Sequence, residues 1–118
     1  MSYMLLIVEP TEQRGGRSEA EGRLLYERML RFTDTLKSRG VLQASASLAS
    51  NDGRSARVQV RSGQRSVVDG PYAEAKEMVG GFFMLDCASR EEAIAIASEC
   101  PAAEWCSVEV REVAPCWD

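Results

Sequence analysis

The spacing of apolar positions switches between two periods along the chain. Tyr3–Val8 is a short, bulky apolar run ended by Pro10, which predicts a buried first strand. Thr11–Arg17 is polar and contains Gly15-Gly16, so it reads as a loop. Leu25, Met29, Phe32 and Leu36 then recur at steps of four, three and four, which places them on one helical face. Ahead of them, Ser18-Glu19-Ala20-Glu21 is a capping box, in which Ser18 accepts from the Glu21 N–H and Glu21 reaches back to Ser18. Such a cap stabilises a helix by about 1 kcal/mol. Arg39 falls in the last turn and Gly40 suits a left-handed closure, so the spacing predicts a first helix over Glu19–Arg39.

A period of two then takes over. Val41–Leu48 places Leu42, Ala44, Ala46 and Leu48 on one side and predicts a half-buried strand. Asn51-Asp52-Gly53 signals a turn. Ala56, Val58 and Val60 alternate with Arg57, Gln59 and Arg61; Ser62-Gly63-Gln64-Arg65 turns the chain, and Ser66–Val68 returns as a hairpin partner. Tyr72–Val79 is charged and reads as a loop or a short helix. Gly80-Gly81 leads into Phe82–Cys87, a strongly apolar strand. Ser89-Arg90-Glu91-Glu92 is a second capping box, and Ala93, Ile96, Ala97 and Cys100 form another helical face, stopped by Pro101. Val108 and Val110 alternate within a last strand. The order predicts an α+β fold: a ferredoxin-like βαββαβ sandwich with an inserted β-hairpin, in one domain over residues 1–118. One sheet face lies under two helices. The other needs cover, which stacking two sheets in a homodimer would supply.

Composition narrows the chemistry. The 118 residues include no histidine. That removes the Ser-His-Asp triad, the Cys-His pair and His-ligated metals. Cys87, Cys100, Cys106 and Cys116 lack CxxC spacing, so they are expected to be reduced thiols, with no metal and no cofactor; Cys116 is expected to be the exposed one. Net charge is −4, and it is unevenly placed: residues 14–65 hold 11 basic and 5 acidic side chains, residues 69–118 hold 3 basic and 11 acidic. The basic residues are scattered and few aromatics interleave them, so no nucleic-acid partner is expected. Their offset against the acidic half reads as packing within a subunit or across a dimer. No apolar run reaches about 18 residues and Tyr3–Val8 is too short for a signal segment, so a cytoplasmic chain with no membrane partner is expected.

The most distinctive stretch is Asp69-Gly70-Pro71-Tyr72-Ala73-Glu74-Ala75-Lys76-Glu77, followed by Gly80-Gly81-Phe82-Phe83. This resembles the YCII-related family in its DGPF-type branch. The start, Tyr3-Met4-Leu5-Leu6-Ile7, and the end, Val108-Glu109-Val110-Arg111, also look like that family. The resemblance implies a ferredoxin-like fold that dimerises as an α+β barrel. It also implies kinship with proteins mostly of unknown function, some encoded beside extracytoplasmic-function sigma factors and a few acting on small aromatic-derived acids or chlorinated rings. Some relatives are thought to use a His–Asp pair. Asp69 matches the motif Asp, but this chain has no His to partner it.

Read from their own chemistry, these residues leave alternatives open. Gly70 and Pro71 fix a tight turn, so Asp69 either caps that turn or presents a base at a pocket mouth. Glu74, Lys76 and Glu77 form a solvated charged segment, an inter-subunit bridge, or a site where Lys76 neutralises an anion while Glu74 or Glu77 handles a proton. Gly80-Gly81 suits a bulge or a close backbone approach, and no Walker or dinucleotide fingerprint occurs. Arg57 and Arg61 are a solvated pair or an anion clamp. Tyr3 and Tyr26 are core residues or cavity lining. Trp105 and Trp117 pack ordinarily or cover a dimer seam. The expectation is a dimeric protein that binds a small anionic or aromatic molecule, or an accessory protein, with a pocket between the sheet and the Asp69–Glu77 segment. In it, Asp69 is the candidate catalytic carboxylate, and Tyr72, Glu74, Lys76, Glu77, Gly80 and Gly81 contact the ligand. The alternative is an enzyme of lyase or isomerase type that uses Asp69 without a histidine.

Overall fold

The computed structural model describes residues 1–118. Strands β1 (Ser2–Pro10), β2 (Leu42–Ser47), β5 (Glu77–Asp86) and β6 (Ser107–Glu112) form one antiparallel sheet in the order β2-β5-β1-β6. Helices α1 (Glu19–Ser38) and α2 (Arg90–Glu99) supply the second layer. Strands β3 (Ala56–Arg61) and β4 (Gln64–Asp69) pair only with each other. With that hairpin set aside, the order of elements and of strands is that of a ferredoxin-like α+β fold.

The period-two reading of β1 holds and sorts the core. Tyr3, Leu5 and Ile7 are buried, and they join Phe83, Leu85 and both helices in one cluster. Phe32 of α1 meets the Phe83 ring edge-on at 5.3 Å between centroids. The α1 cap forms as predicted: the Ser18 hydroxyl accepts from the Glu21 N–H at 3.1 Å, and Glu21 Oε1 accepts from the Ser18 N–H at 3.3 Å. Gly40 sits at φ +72° just past the end. In α2 the second box differs by one residue. Ser89 accepts from the Glu92 N–H, but Glu92 accepts from the N–H of Ala88 rather than Ser89. Ala93, Ile96, Ala97 and Cys100 are buried as their spacing required.

Register puts Met4 beside Met84 and Leu6 beside Phe82, on the face turned away from both helices. They are only half-buried, because no element of the chain covers that side.

One expectation about exposure needs correction. A register shift between Leu42 and Ala44 turns Ala44 to the face opposite Leu42, so the predicted single apolar side of β2 is split. Every residue of β3 and β4 is exposed, although the alternation that predicted strands is present. Val58 and Val67 pair across the hairpin with nothing packed on them, and Ser62 and Gly63 close it with positive φ at both positions. The hairpin is an arm. Tyr72–Val79 is expected to be a loop or a short helix; Tyr72–Lys76 is a loop, and Glu77–Val79 belong to β5, which begins at Glu77 rather than Phe82.

Candidate functional site

Glu9 breaks the apolar alternation of β1. It occupies the next helix-facing position after Tyr3, Leu5 and Ile7, and it is 5% exposed. A carboxylate there needs a cation. Arg14, in the 3-10 turn Arg14–Gly16, donates from Nε to Glu9 Oε1 at 2.5 Å. Its other nitrogens reach carbonyl oxygens at Leu48 (2.8 Å) and Gly80 (3.4 Å). One guanidinium therefore ties the loop after β1 to the end of β2 and to β5.

Gly80 explains the Gly-Gly pair. It is the extra residue where the β1–β5 register shifts, with Ile7 opposite Gly81 and Val8 opposite Val79. A Cβ at Gly80 would overlap the Glu9 carboxylate and lie 2.8 Å from Arg14 Nη2. At Gly81 it would lie 2.9 Å from the Ala46 carbonyl oxygen.

Above this latch lies a cavity of about 740 Å³ between α1 and the β2-β5-β1 side of the sheet. Ile7, Leu25, Met29, Phe83 and Trp105 supply apolar wall, and Gly80 and Gly81 are on its floor. Of its six charged lining residues, four are basic (Arg14, Arg17, Arg23, Lys37) and two acidic (Glu9, Glu19), in a chain of net charge −4. Glu9 holds Arg14, and Glu19 holds Arg23 at 2.9 Å. Arg17 has no carboxylate partner, and its guanidinium lies 6.0 Å from the Trp105 ring centroid. Nearby, burial first and the Glu9 carboxylate second push the Cys106 thiol up to about 11. It stays protonated near neutral pH and donates to the Ala102 carbonyl oxygen at 3.3 Å.

The residues singled out from sequence divide between two places. Gly80 and Gly81 line this cavity, as does Tyr26. Asp69, Tyr72, Glu74, Lys76 and Glu77 do not, and all but Tyr72 are exposed: Lys76 and Glu77 lie beside Thr11 and Pro10 at the end of β1, Asp69 ends β4, and Tyr72 and Glu74 lie against the base of the arm. There the Tyr72 hydroxyl donates to Ser55 Oγ at 3.2 Å, while Arg57 lies over the Tyr72 ring at 3.9 Å and pairs with Glu74. That hydrogen bond from Arg57 holds the Glu74 carboxyl below its ordinary range. The Gly70 N–H donates to the Ser55 carbonyl and the Gly53 N–H to the Gly70 carbonyl, both at 3.0 Å. A Cβ at Gly70 would strike the Asn51 carbonyl oxygen, so the motif glycine serves close packing against Asn51–Ser55. The Lys76 carbonyl accepts from the Thr11 N–H at 3.0 Å. Tyr3 is buried in the core. Glu9, Arg14 and Arg17 were missed from sequence. The available signal was a carboxylate at a core-facing position of β1.

The chain matches the model of the YCII-related domain over residues 1–116. It belongs to the YCII-related family. It is also 49% identical over 37 residues to an uncharacterised protein of Rhizobium meliloti (strain 1021), a match that covers 31% of this chain and 30% of that relative. No helix is long and apolar enough to cross a membrane.

Proposed function

We propose that this YCII-related protein is a homodimeric binding protein that takes a small amphipathic anion into the groove between α1 and the sheet. The observation that carries this reading is a cavity with an apolar wall and with cations, Arg17 and Lys37, that no carboxylate holds. About 740 Å³ falls within the usual range of small-molecule sites. Its wall suits an aromatic or branched aliphatic body, and Arg17 beside Trp105 suits a carboxylate or sulfonate. Arg14 is already bound to Glu9, Leu48 and Gly80, so its role is to hold the floor. In this reading Gly80 and Gly81 contact ligand through their backbone, while Asp69, Tyr72 and Glu74 set the base of the arm and Lys76 and Glu77 tie the start of β5 to the end of β1. The homodimer follows from the uncovered face carrying Met4, Leu6, Phe82 and Met84, which stacking against a second sheet would bury.

The test is calorimetric titration with 1-naphthoate and with the neutral 1-naphthalenemethanol. The expected result is tighter binding of the anion, weakened about tenfold by Arg17→Gln with the alcohol unaffected, the size of one charge-assisted hydrogen bond. Equal binding of the two compounds, or indifference of naphthoate to Arg17→Gln, refutes the assignment.

A further inference from the structure

The arm has no partner within its own chain. All twelve residues of β3 and β4 are exposed. A two-stranded hairpin is at best marginally stable alone in water. One of its sides nevertheless carries an apolar centre: Val58 and Val67 pair across the strands, and Ala56 and Val60 lie on the same side, with Asp69 opposite Ala56 and Arg65 opposite Val60 at its two ends. The shape of the whole chain points the same way. Its radius of gyration is 16.0 Å, against about 13.5 Å for a compact domain of this length. Its accessible surface is 7916 Å², against about 6,300 Å² for a folded monomer of its mass.

We propose that the β3–β4 arm is a dimer clasp, which packs the Ala56, Val58, Val60 and Val67 side against a second copy of this chain. The clasp rests on the homodimer reading above, since it needs that second copy. Two arguments favour a second copy as the occupant. The first is area. A four-stranded face about six residues deep offers roughly 400 Å² per protomer, whereas a standard interface takes about 800 Å² from each partner. One side of the arm offers roughly 200 Å². Given once and received once per protomer, it makes up the shortfall. The second is charge. Arg57, Arg61 and Arg65 stand against Asp69 alone, so the β3–β4 arm is net +2 in a chain of net −4, and Arg54 just before it is met by Asp52 at 3.6 Å. Arg57 is held by Glu74 at the base, while Arg61 and Arg65 near the tip have no carboxylate partner. The body of a second copy is the acidic surface this arm lacks.

The arm can be altered without dismantling the sheet, because β3 and β4 pair only with each other and the Gly53 N–H already meets the Gly70 carbonyl at 3.0 Å. The experiment is sedimentation velocity across a concentration series on the full chain and three variants. Val58→Glu/Val67→Glu charges the apolar side. Gln59→Glu/Ser66→Glu puts the same charges on the opposite side. The third variant excises Arg54–Asp69 and joins Gly53 to Gly70. Far-UV circular dichroism checks that each body stays folded. The wild type is expected to be a dimer. Val58→Glu/Val67→Glu and the excision should weaken it about 100-fold or more, since four unpaired charges or the loss of both clasps would enter the interface. Gln59→Glu/Ser66→Glu should change it less than about threefold.

A monomeric wild type overturns the homodimer and the clasp together. A dimer of equal strength in all four proteins overturns the clasp and leaves a dimer of stacked sheets. Equal weakening by both glutamate pairs overturns the assignment of the apolar side. A wild type that stays monomeric yet cosediments with phosphatidylserine vesicles through Val58 and Val67 gives the arm to a membrane surface, and also overturns the proposal.

Discussion

Removing Arg14 should cost more than removing the residue it binds. The Glu9 side chain is 7% exposed and that of Arg14 is 33% exposed, with 2.5 Å between Nε and Oε1. In Arg14→Ala the carboxylate stays inside the sheet–helix layer with its cation gone. Breaking a buried pair this way costs about 3–5 kcal/mol, and the partial exposure of Arg14 places the loss near the lower end. In Glu9→Ala the guanidinium keeps the Leu48 and Gly80 carbonyls and its access to water. The loss there is that of a charge-assisted hydrogen bond, about 1–2 kcal/mol. The double variant removes the stranded charge as well, so it should be more stable than Arg14→Ala alone. Urea unfolding followed by circular dichroism at one protein concentration measures all four corners of the cycle. Equal losses in the two single variants would refute the reasoning, as would a double variant whose loss is the sum of the singles.

Other expectations follow from the same local geometry. Gly80→Ala forces a methyl group into the Glu9 carboxylate and should cost about 1–3 kcal/mol by the same urea assay, whereas an unchanged midpoint would mean that the bulge is not held by that contact. With iodoacetamide at pH 8, peptide mapping should find Cys116 labelled first, because Cys106 is pushed up to about 11 and Cys87 and Cys100 are buried. Comparable labelling of Cys106 in the folded chain would contradict its protected setting. The Glu74 carboxyl is held low in the folded state by Arg57, so its contribution is present above the ordinary glutamate value, about 4.3, and lost as pH falls through the lower folded value. Protection of the Gly53 and Gly70 amides, measured relative to their intrinsic exchange rate at each pH, should therefore fall below that pH, and Arg57→Gln should abolish the step.

The sequence was most legible where one rule decided the outcome. The α1 face Leu25, Met29, Phe32, Leu36 turns inward, its Ser18–Glu21 box closes, and the alternation of β1 picks its buried side. These are local regularities, because period and cap chemistry act within a few residues. What was not legible depended on what lies across from a strand. Val58 and Val60 have the alternation of a half-buried strand, and in β3 they face water. A period-two pattern states that two faces differ; it does not state which body covers the apolar one. In β2 a single-residue register shift is enough to move Ala44 to the face opposite Leu42, and nothing in the composition of that segment announces it.

The same distinction separates the two groups of candidate site residues. Asp69-Gly70-Pro71-Tyr72 is conspicuous as a string of turn-forming and charged residues, and the structure uses it to pin the base of the arm through Ser55, Asn51 and Arg57. The cavity wall is assembled instead from α1, β1, β5 and the segment before β6, whose members stand far apart in sequence. Only a conflict with the expected pattern marks such a place in advance. Glu9 is that conflict: a carboxylate where the alternation of β1 calls for an apolar side chain. A buried charge persists in a fold only if another element meets it. Arg14 is the cation that meets it, and Gly80, without a Cβ, leaves room for its carboxylate. The floor of the cavity thus lies at a break in periodicity and not at the most recognisable motif in the chain.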